Sequence, residues 1–207
     1  MKVLLINGSP KKDGCTYTAL CEVAGALEKN GIQTEIVHIG AQPISGCIAC
    51  GRCRKNNKDC VIDDVVNEIA KKAMDFDGFV FGSPVYYAAA SGSLTSFMDR
   101  FFYAHGKYLR GKPASAIVSC RRAGSSSSID QINKYFSISQ MPIVTSQYWN
   151  MVHGNTPDEV KKDLEGMQTM RVLGNNVAWL LKCIDAGSNA GIEMPEMESR
   201  IWTNYIR

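Results

Sequence analysis

The sequence has no apolar run approaching the roughly 18 residues that a membrane-spanning helix needs, so no helix crossing a bilayer is expected. It lacks a strong charge of either sign. The net charge of +3 is too mild to argue for nucleic acid or an anionic membrane surface as a partner. No secretory leader is expected, because the apolar run at 3–6 is too short for one and Asn7 interrupts it. A cytoplasmic location is therefore expected, where thiols stay reduced. Histidine is scarce. His38, His105 and His153 show no ligand spacing and read as structural or surface residues, with a substrate-side role left open for His153 alone. No acid–base dyad is apparent. No internal repeat or low-complexity linker divides the 207 residues, so one globular domain is expected over 1–186, with an irregular extension at 187–207 packed on it or on a neighbouring subunit.

Two familiar phosphate motifs are missing as well. A Walker loop opening at Gly8 would need Gly-Lys-Ser/Thr from position 13, where Asp13-Gly14-Cys15 stands. The dinucleotide fingerprint needs glycine at position 10, where Pro10 stands. What remains is an apolar run at 3–6, a turn that opens Gly8-Ser9-Pro10, and a helical pattern. A buried strand feeding a turn into a helix gathers unpaired N–H groups and the positive helix end at one spot, which suits an anion. The hydroxyls of Ser9, Thr16 and Thr18 can donate to a phosphate there, and Lys11 or Lys12 adds charge.

Further along, apolar stripes predict helices over 17–30, 64–74, 93–103 and 129–138, and over 157–186 with a break near Gly174. Short apolar runs predict strands at 34–39, 78–82, 114–119 and 143–146, and 83–92 reads as a loop. Strand alternating with helix argues an α/β fold: a three-layer sandwich around a five-stranded parallel sheet in the order 2-1-3-4-5. Ligands then sit at the switch point, at the carboxyl ends of strands one and three. The loop after strand three opens Gly82-Ser83-Pro84, matching Gly8-Ser9-Pro10. Tyr86 and Tyr87 follow it and can stack on a planar ring or pack on a helix. Cys120-Arg121-Arg122-Ala123-Gly124 forms the third lip, with two cations that read as ligand contacts or as solvated loop charges.

Four of the eight cysteines lie within fourteen positions, as Cys47-x2-Cys50-x2-Cys53-x6-Cys60. Steps of three wrap thiolates around one small object, and ferredoxin-type cubanes open with the same spacing. Arg52, Arg54, Lys55 and Lys58 can offset the negative charge. Structural zinc more often uses two separated pairs. A [4Fe–4S] cluster, a zinc ion and unligated thiols are the three readings, with the cluster preferred. Cys21 and Cys183 lie on apolar helix faces and read as buried hydrophobes, and Asp99–Arg100 reads as a structural polar pair.

GSPKKDGCT followed by FGSPVYYAAASGSLTSFMDRFF resembles the NADPH-dependent FMN reductase group of the flavodoxin-like superfamily. The resemblance implies that Ser9, Lys11, Cys15 and Thr16 contact the FMN phosphate, although Cys15 stands where many relatives carry Asn or Ser. It implies that Pro84, Val85, Tyr86 and Tyr87 line the ring, and that Cys120 with the loop from Arg121 and Arg122 to Gly124 closes its edge. The cysteine spacing is similar to the compact motif of iron–sulfur flavoproteins, which implies Cys47, Cys50, Cys53 and Cys60 as ligands of a [4Fe–4S] cluster. Implied too are NAD(P)H as co-substrate, a homodimer or tetramer, and a small electron acceptor such as a quinone, nitro or azo compound or free flavin. The alternative is an electron carrier fed by a ferredoxin-like donor, and a non-flavin binding module of the same fold is the third hypothesis.

Overall fold

A computed structural model describes residues 1–40, 42–56 and 59–204, without the side chain of Asn56. The expectations placed on Lys58, Tyr205 and Ile206 lie outside the described residues. β1 (Lys2–Asn7) runs parallel to β2 (Gln33–His38) on one side and on the other to the central strand β3 (Gly78–Tyr86). β5 (Ala114–Cys120) pairs with β3, and β6 (Met151–His153) closes the edge. The path β2-β1-β3-β5-β6 is the expected 2-1-3-4-5 order, once the short antiparallel β4 (Ala89–Ala90) is set aside.

Alternation along β1 explains the layers. Leu4 and Ile6 join one core with Phe79 and Phe81, while Val3 and Leu5 join the other with Val80 and Ile117. Strands buried on both faces read as continuous apolar runs, as β1 and β3 do. The first core is covered by α3 (Val65–Ala73), α4 (Gly92–His105) and α5 (Ser125–Ile138). There the Phe81 ring lies 5.2 Å from Phe136 and 5.7 Å from Phe102, centroid to centroid. The second core is covered by α1 (Cys15–Lys29), α6 (Pro157–Lys162) and α7 (Leu164–Asn189). One further short helix, α2 (Arg52–Asn56), lies in the cysteine loop.

Cys21 and Cys183, read as buried hydrophobes, are both exposed. Three further expectations need correction. The last strand is not at 143–146: only Ile143 bridges to Ala114, and the ladder resumes at Met151. After Val144 the chain leaves the edge because α7 captures it. Asn176 Nδ2 donates to Thr145 O at 2.8 Å and Ser146 Oγ donates to Thr169 O at 2.7 Å. It returns at Asn150, whose Nδ2 donates to Ser115 Oγ at 2.9 Å and Ala116 O at 3.0 Å. The long helix breaks at Asp163, not Gly174. The Asp163 side chain accepts from Gly166 N and starts α7 afresh. Gly174 instead lets two helices touch, since a Cβ there would lie 2.7 Å from Ala26 Cβ and Val23 O on α1. Residues 83–86 are not loop. They continue β3 and turn back through Tyr87–Ala88 into β4.

Candidate functional site

The first loop is rigidified by its own side chains. Buried Asn7 donates through Nδ2 to Lys12 O at 2.9 Å and accepts from Ser9 N at 3.1 Å, and Lys11 N donates to Ser9 Oγ at 3.1 Å. His38, read from the sequence as structural or surface, belongs here as well: its Nε2 lies 2.7 Å from Ser9 O. Gly40 must be glycine, because a Cβ would meet that same oxygen at 2.0 Å. The loop then enters α1 at Gly14, with no side chain capping the helix. The first amides of an α-helix have no partner within the helix, so an uncapped start with Lys11 and Lys12 beside it presents donors and positive charge to an anion. Thr16 has no free hydroxyl to offer here. Its hydroxyl is buried against Ser119 Oγ at 2.8 Å, and Thr18 Oγ1 donates back to Gly14 O at 3.1 Å. Cys15 Sγ lies 3.6 Å from Gly154 O, and burial pushes its thiol pKa up.

The two Gly-Ser-Pro loops are tied to each other. Gly8 N donates to Gly82 O at 2.9 Å, and Ser91 Oγ donates to Gly8 O at 2.7 Å. Ser83 Oγ accepts from Ser91 N at 2.8 Å and donates to Pro84 O at 2.8 Å. Pro84 and Val85 lead into the hairpin, whose two turn residues, Tyr87 at φ 50° and Ala88 at φ 59°, both adopt left-handed backbone. Such turns normally use Asn-Gly, and non-glycine residues pay of order 1–2 kcal/mol each for this conformation. Neighbours hold the strain in place. Ser127 Oγ donates to Ala88 O at 2.7 Å, Ala90 N donates to Gln131 Oε1 at 3.0 Å, and Gly124 packs so closely that a Cβ would lie 2.7 Å from Ala88 Cα. Tyr86 is half exposed and Tyr87 wholly so. Arg121 and Arg122 are exposed on the third lip, while Cys120 is buried, which raises its thiol pKa. The structure thus brings all three expected loops to the carboxyl ends of β1, β3 and β5.

The cysteine loop is a second centre, packed on α4. Cys47, Cys50, Cys53 and Cys60 line one cavity with Ile48, Val61, Tyr103 and Arg100. Ala49 (φ 53°) and Gly51 (φ 69°) turn the chain in left-handed steps on either side of Cys50. Cys47 and Cys50 are exposed, and Cys53 and Cys60 are half-buried. Burial raises the Cys53 thiol pKa, and the neighbouring Cys60 and Cys47 add to the rise. Among the described residues no three His, Cys, Asp or Glu side chains converge as an ion site would require. The donor set nevertheless fits an iron–sulfur group, which takes four cysteine thiolates, and Arg100 is among the residues lining the cavity. Arg54 lies 4.0 Å over the Tyr103 ring.

Arg100, read from the sequence as a structural polar pair with Asp99, pairs instead with Asp64 and ties this centre together, while Asp99 Oδ1 accepts from Tyr135 Oη. Its guanidinium is buried, bidentate to Asp64 at 2.6 and 2.8 Å, and it donates to Ile62 O at 2.7 Å and Cys60 Sγ at 3.3 Å. Burial opposes the Asp64 carboxylate, but the Arg100 and Val66 N–H hydrogen bonds prevail and hold its pKa below the ordinary value. Asn67 clasps Cys60 on both sides, accepting from its N–H at 3.0 Å and donating to its carbonyl at 2.9 Å.

This architecture, with paired glycine-opened loops at the switch point, defines a flavodoxin-like protein. Residues 1–156 match the family model described as NADPH-dependent FMN reductase, and the chain belongs to that family. It is thereby an FMN-dependent oxidoreductase by class. It is 36% identical over 192 residues to an iron-sulfur flavoprotein of Methanocaldococcus jannaschii, covering 89% of this chain and 99% of that one. It is 28% identical over 188 residues to an iron-sulfur flavoprotein of Methanosarcina thermophila, covering 89% and 97%. Among solved structures, a flavodoxin, WrbA-like protein from Agrobacterium tumefaciens superposes with a TM-score of 0.62 at 12% identity, covering 88% of this chain and 98% of that one, which shows the shared fold. No helix among the described residues is long and apolar enough to cross a membrane.

Proposed function

We propose that the protein moves electrons from NAD(P)H through FMN bound at the switch point to a small acceptor, such as a quinone, nitro or azo compound or free flavin. The observation that carries this reading is the bond from Gly8 N to Gly82 O, which locks the uncapped start of α1 and the Tyr86–Tyr87 hairpin onto one crevice. Ser9, Lys11, Cys15, Thr16 and Thr18 surround the phosphate end, where the Cys15 and Thr16 N–H groups at the uncapped start of α1 are the backbone donors, since those of Ser9, Lys11 and Thr18 are spent on Asn7 Oδ1, Ser9 Oγ and Gly14 O. Pro84, Val85, Tyr86 and Tyr87 flank the ring. Cys120, Arg121, Arg122 and Gly124 close its edge, where the two cations oppose negative charge. FMN when bound supplies the one- and two-electron chemistry, and the chain supplies position and electrostatics.

The shared cavity of Cys47, Cys50, Cys53 and Cys60 supports a [4Fe–4S] cluster at the second centre. It also favours a second reading, an electron carrier fed by a ferredoxin-like donor. A cytoplasmic homodimer or tetramer suits both readings. Residues 187–207 serve as an extension packed on the domain or on a neighbouring copy: Arg110 Nη2 donates to Pro195 O at 2.7 Å, while Ile192, Met197, Ile201 and Trp202 keep exposed surface.

Anaerobically purified protein tests the scheme. Flavin bands over a broad shoulder that bleaches on reduction are expected, with oxidation of NADPH or NADH on adding a quinone. Flavin bands alone would remove the cluster. A cluster and flavin without turnover on either nucleotide would replace the reductase by the carrier. Protein that stays colourless after FMN addition would overturn the whole scheme.

A further inference from the structure

The largest fully buried side chain among the described residues is a charged one, Arg100. Burying a guanidinium costs several kcal/mol unless its charge and donors are met. Arginine has five N–H donors in a planar fork, and here each has an acceptor. Nη1 donates to Asp64 Oδ2 and to Ser45 O at 3.3 Å, Nη2 donates to Asp64 Oδ1 and Ile62 O, and Nε donates to Cys60 Sγ. Four of these bonds anchor the stem of the cysteine loop. The fifth does nothing for the stem and is aimed at a sulfur. That sulfur belongs to the cysteine whose backbone Asn67 also fixes, whereas Cys47 and Cys50 are exposed.

We propose that Arg100 is a positioning residue for the second centre, holding Cys60 Sγ as the fixed ligand of the cluster and raising the cluster's reduction potential through the Nε–H···S bond. This rests on the reading of the four cysteines as cluster ligands. Added electron density on a reduced cluster spreads onto its thiolate ligands, and a donor aimed at one of them favours that state. Hydrogen bonds to cluster sulfurs are an established lever on the potential. Lysine cannot substitute here. Its point charge satisfies Asp64 but supplies no in-plane donor that reaches the sulfur at the same time.

The test compares wild-type protein with Arg100→Lys, both loaded anaerobically with iron and sulfide. In an EPR-monitored redox titration the variant's cluster should shift to a more negative midpoint while the FMN potential stays put. A chelator should strip its iron roughly 10-fold faster, taking the loss of metal affinity that follows removal of a ligand's outer partner, about 10–100-fold, to appear in the off-rate. A folded variant with wild-type midpoint and stripping rate would overturn the proposal. Because the substitution also weakens the loop stem, a second measurement uses the wild type alone. Protein labelled with 15N-arginine and reduced should show, by pulsed EPR, a nitrogen coupling from one arginine and a slowly exchanging proton. Absence of that coupling overturns the proposal whatever the variant does. A wild type that takes up no iron would sink the cluster assignment itself, and this proposal with it.

Discussion

Gly124→Ala separates backbone strain from contact with the Tyr87–Ala88 hairpin, which we propose flanks the flavin. Gly124 sits at φ 83°, where any side chain costs about 1–2 kcal/mol. Its added Cβ would also lie 2.7 Å from Ala88 Cα and 3.0 Å from both Ala88 Cβ and Val85 Cγ1. Two of those atoms cannot rotate away, so the hairpin must move, at an overpacking cost of about 1–3 kcal/mol. Gly31 provides a matched control, with φ 79° and nothing within 4 Å of its Cβ position. Gly31→Ala should cost about 1–2 kcal/mol of stability by urea unfolding and leave FMN binding unchanged. Gly124→Ala should lose affinity for FMN by roughly tenfold or more, since about 1.4 kcal/mol transmitted to the ring site gives that factor. The assay is quenching of flavin fluorescence on titration with apoprotein, with folding checked by circular dichroism. Equal FMN affinity in the two variants would refute the placing of the hairpin against the ring.

Gly174→Ala should destabilise the α1–α7 contact by about 1–3 kcal/mol in denaturant unfolding, with FMN affinity at the wild-type level; a neutral result would show that the two helices are not in the tight contact described. His105 supplies a pH dependence. Burial lowers its pKa, outweighing the nearby Asp59, so the unfolded chain binds a proton that the folded chain refuses. Stability should hold above the unfolded histidine value of about 6.5 and fall as pH drops below it toward the lowered folded value. His105→Gln should flatten that part of the profile, and an unchanged slope would assign it to another group.

The sheet was legible because β1 and β3 are buried on both faces and their apolar runs leave no other reading. The paired Gly-Ser-Pro loops were legible because each glycine has a steric reason to be there: a Cβ on Gly8 would press on Leu94, and one on Gly82 on Thr16 and Leu20. The hairpin at Tyr87–Ala88 was not, because its turn carries none of the usual residues and stands on contacts from α5. The edge strand was misplaced because Ile143 and Val144 look more strand-like than Met151–His153. What decides the pairing is Asn150, bonding to a strand 34 and 35 residues earlier. The role of Arg100 was not legible within its helix, since its partners, Cys60 among them, lie 36 to 55 residues away.

Arg100 grips Ser45 on one side of the cysteine segment and Ile62 and Asp64 on the other. The ends of an excursion are thus pinned by a side chain of the scaffold rather than by the excursion itself. Closing a loop between fixed ends depends only logarithmically on its length, about 0.6 kcal/mol for each doubling. The segment between those ends therefore behaves as a cassette. Its interior can lengthen, shorten or lose Cys47, Cys50 and Cys53 while β2, α3 and α4 keep their places, provided Cys60 stays as the acceptor of buried Arg100 Nε.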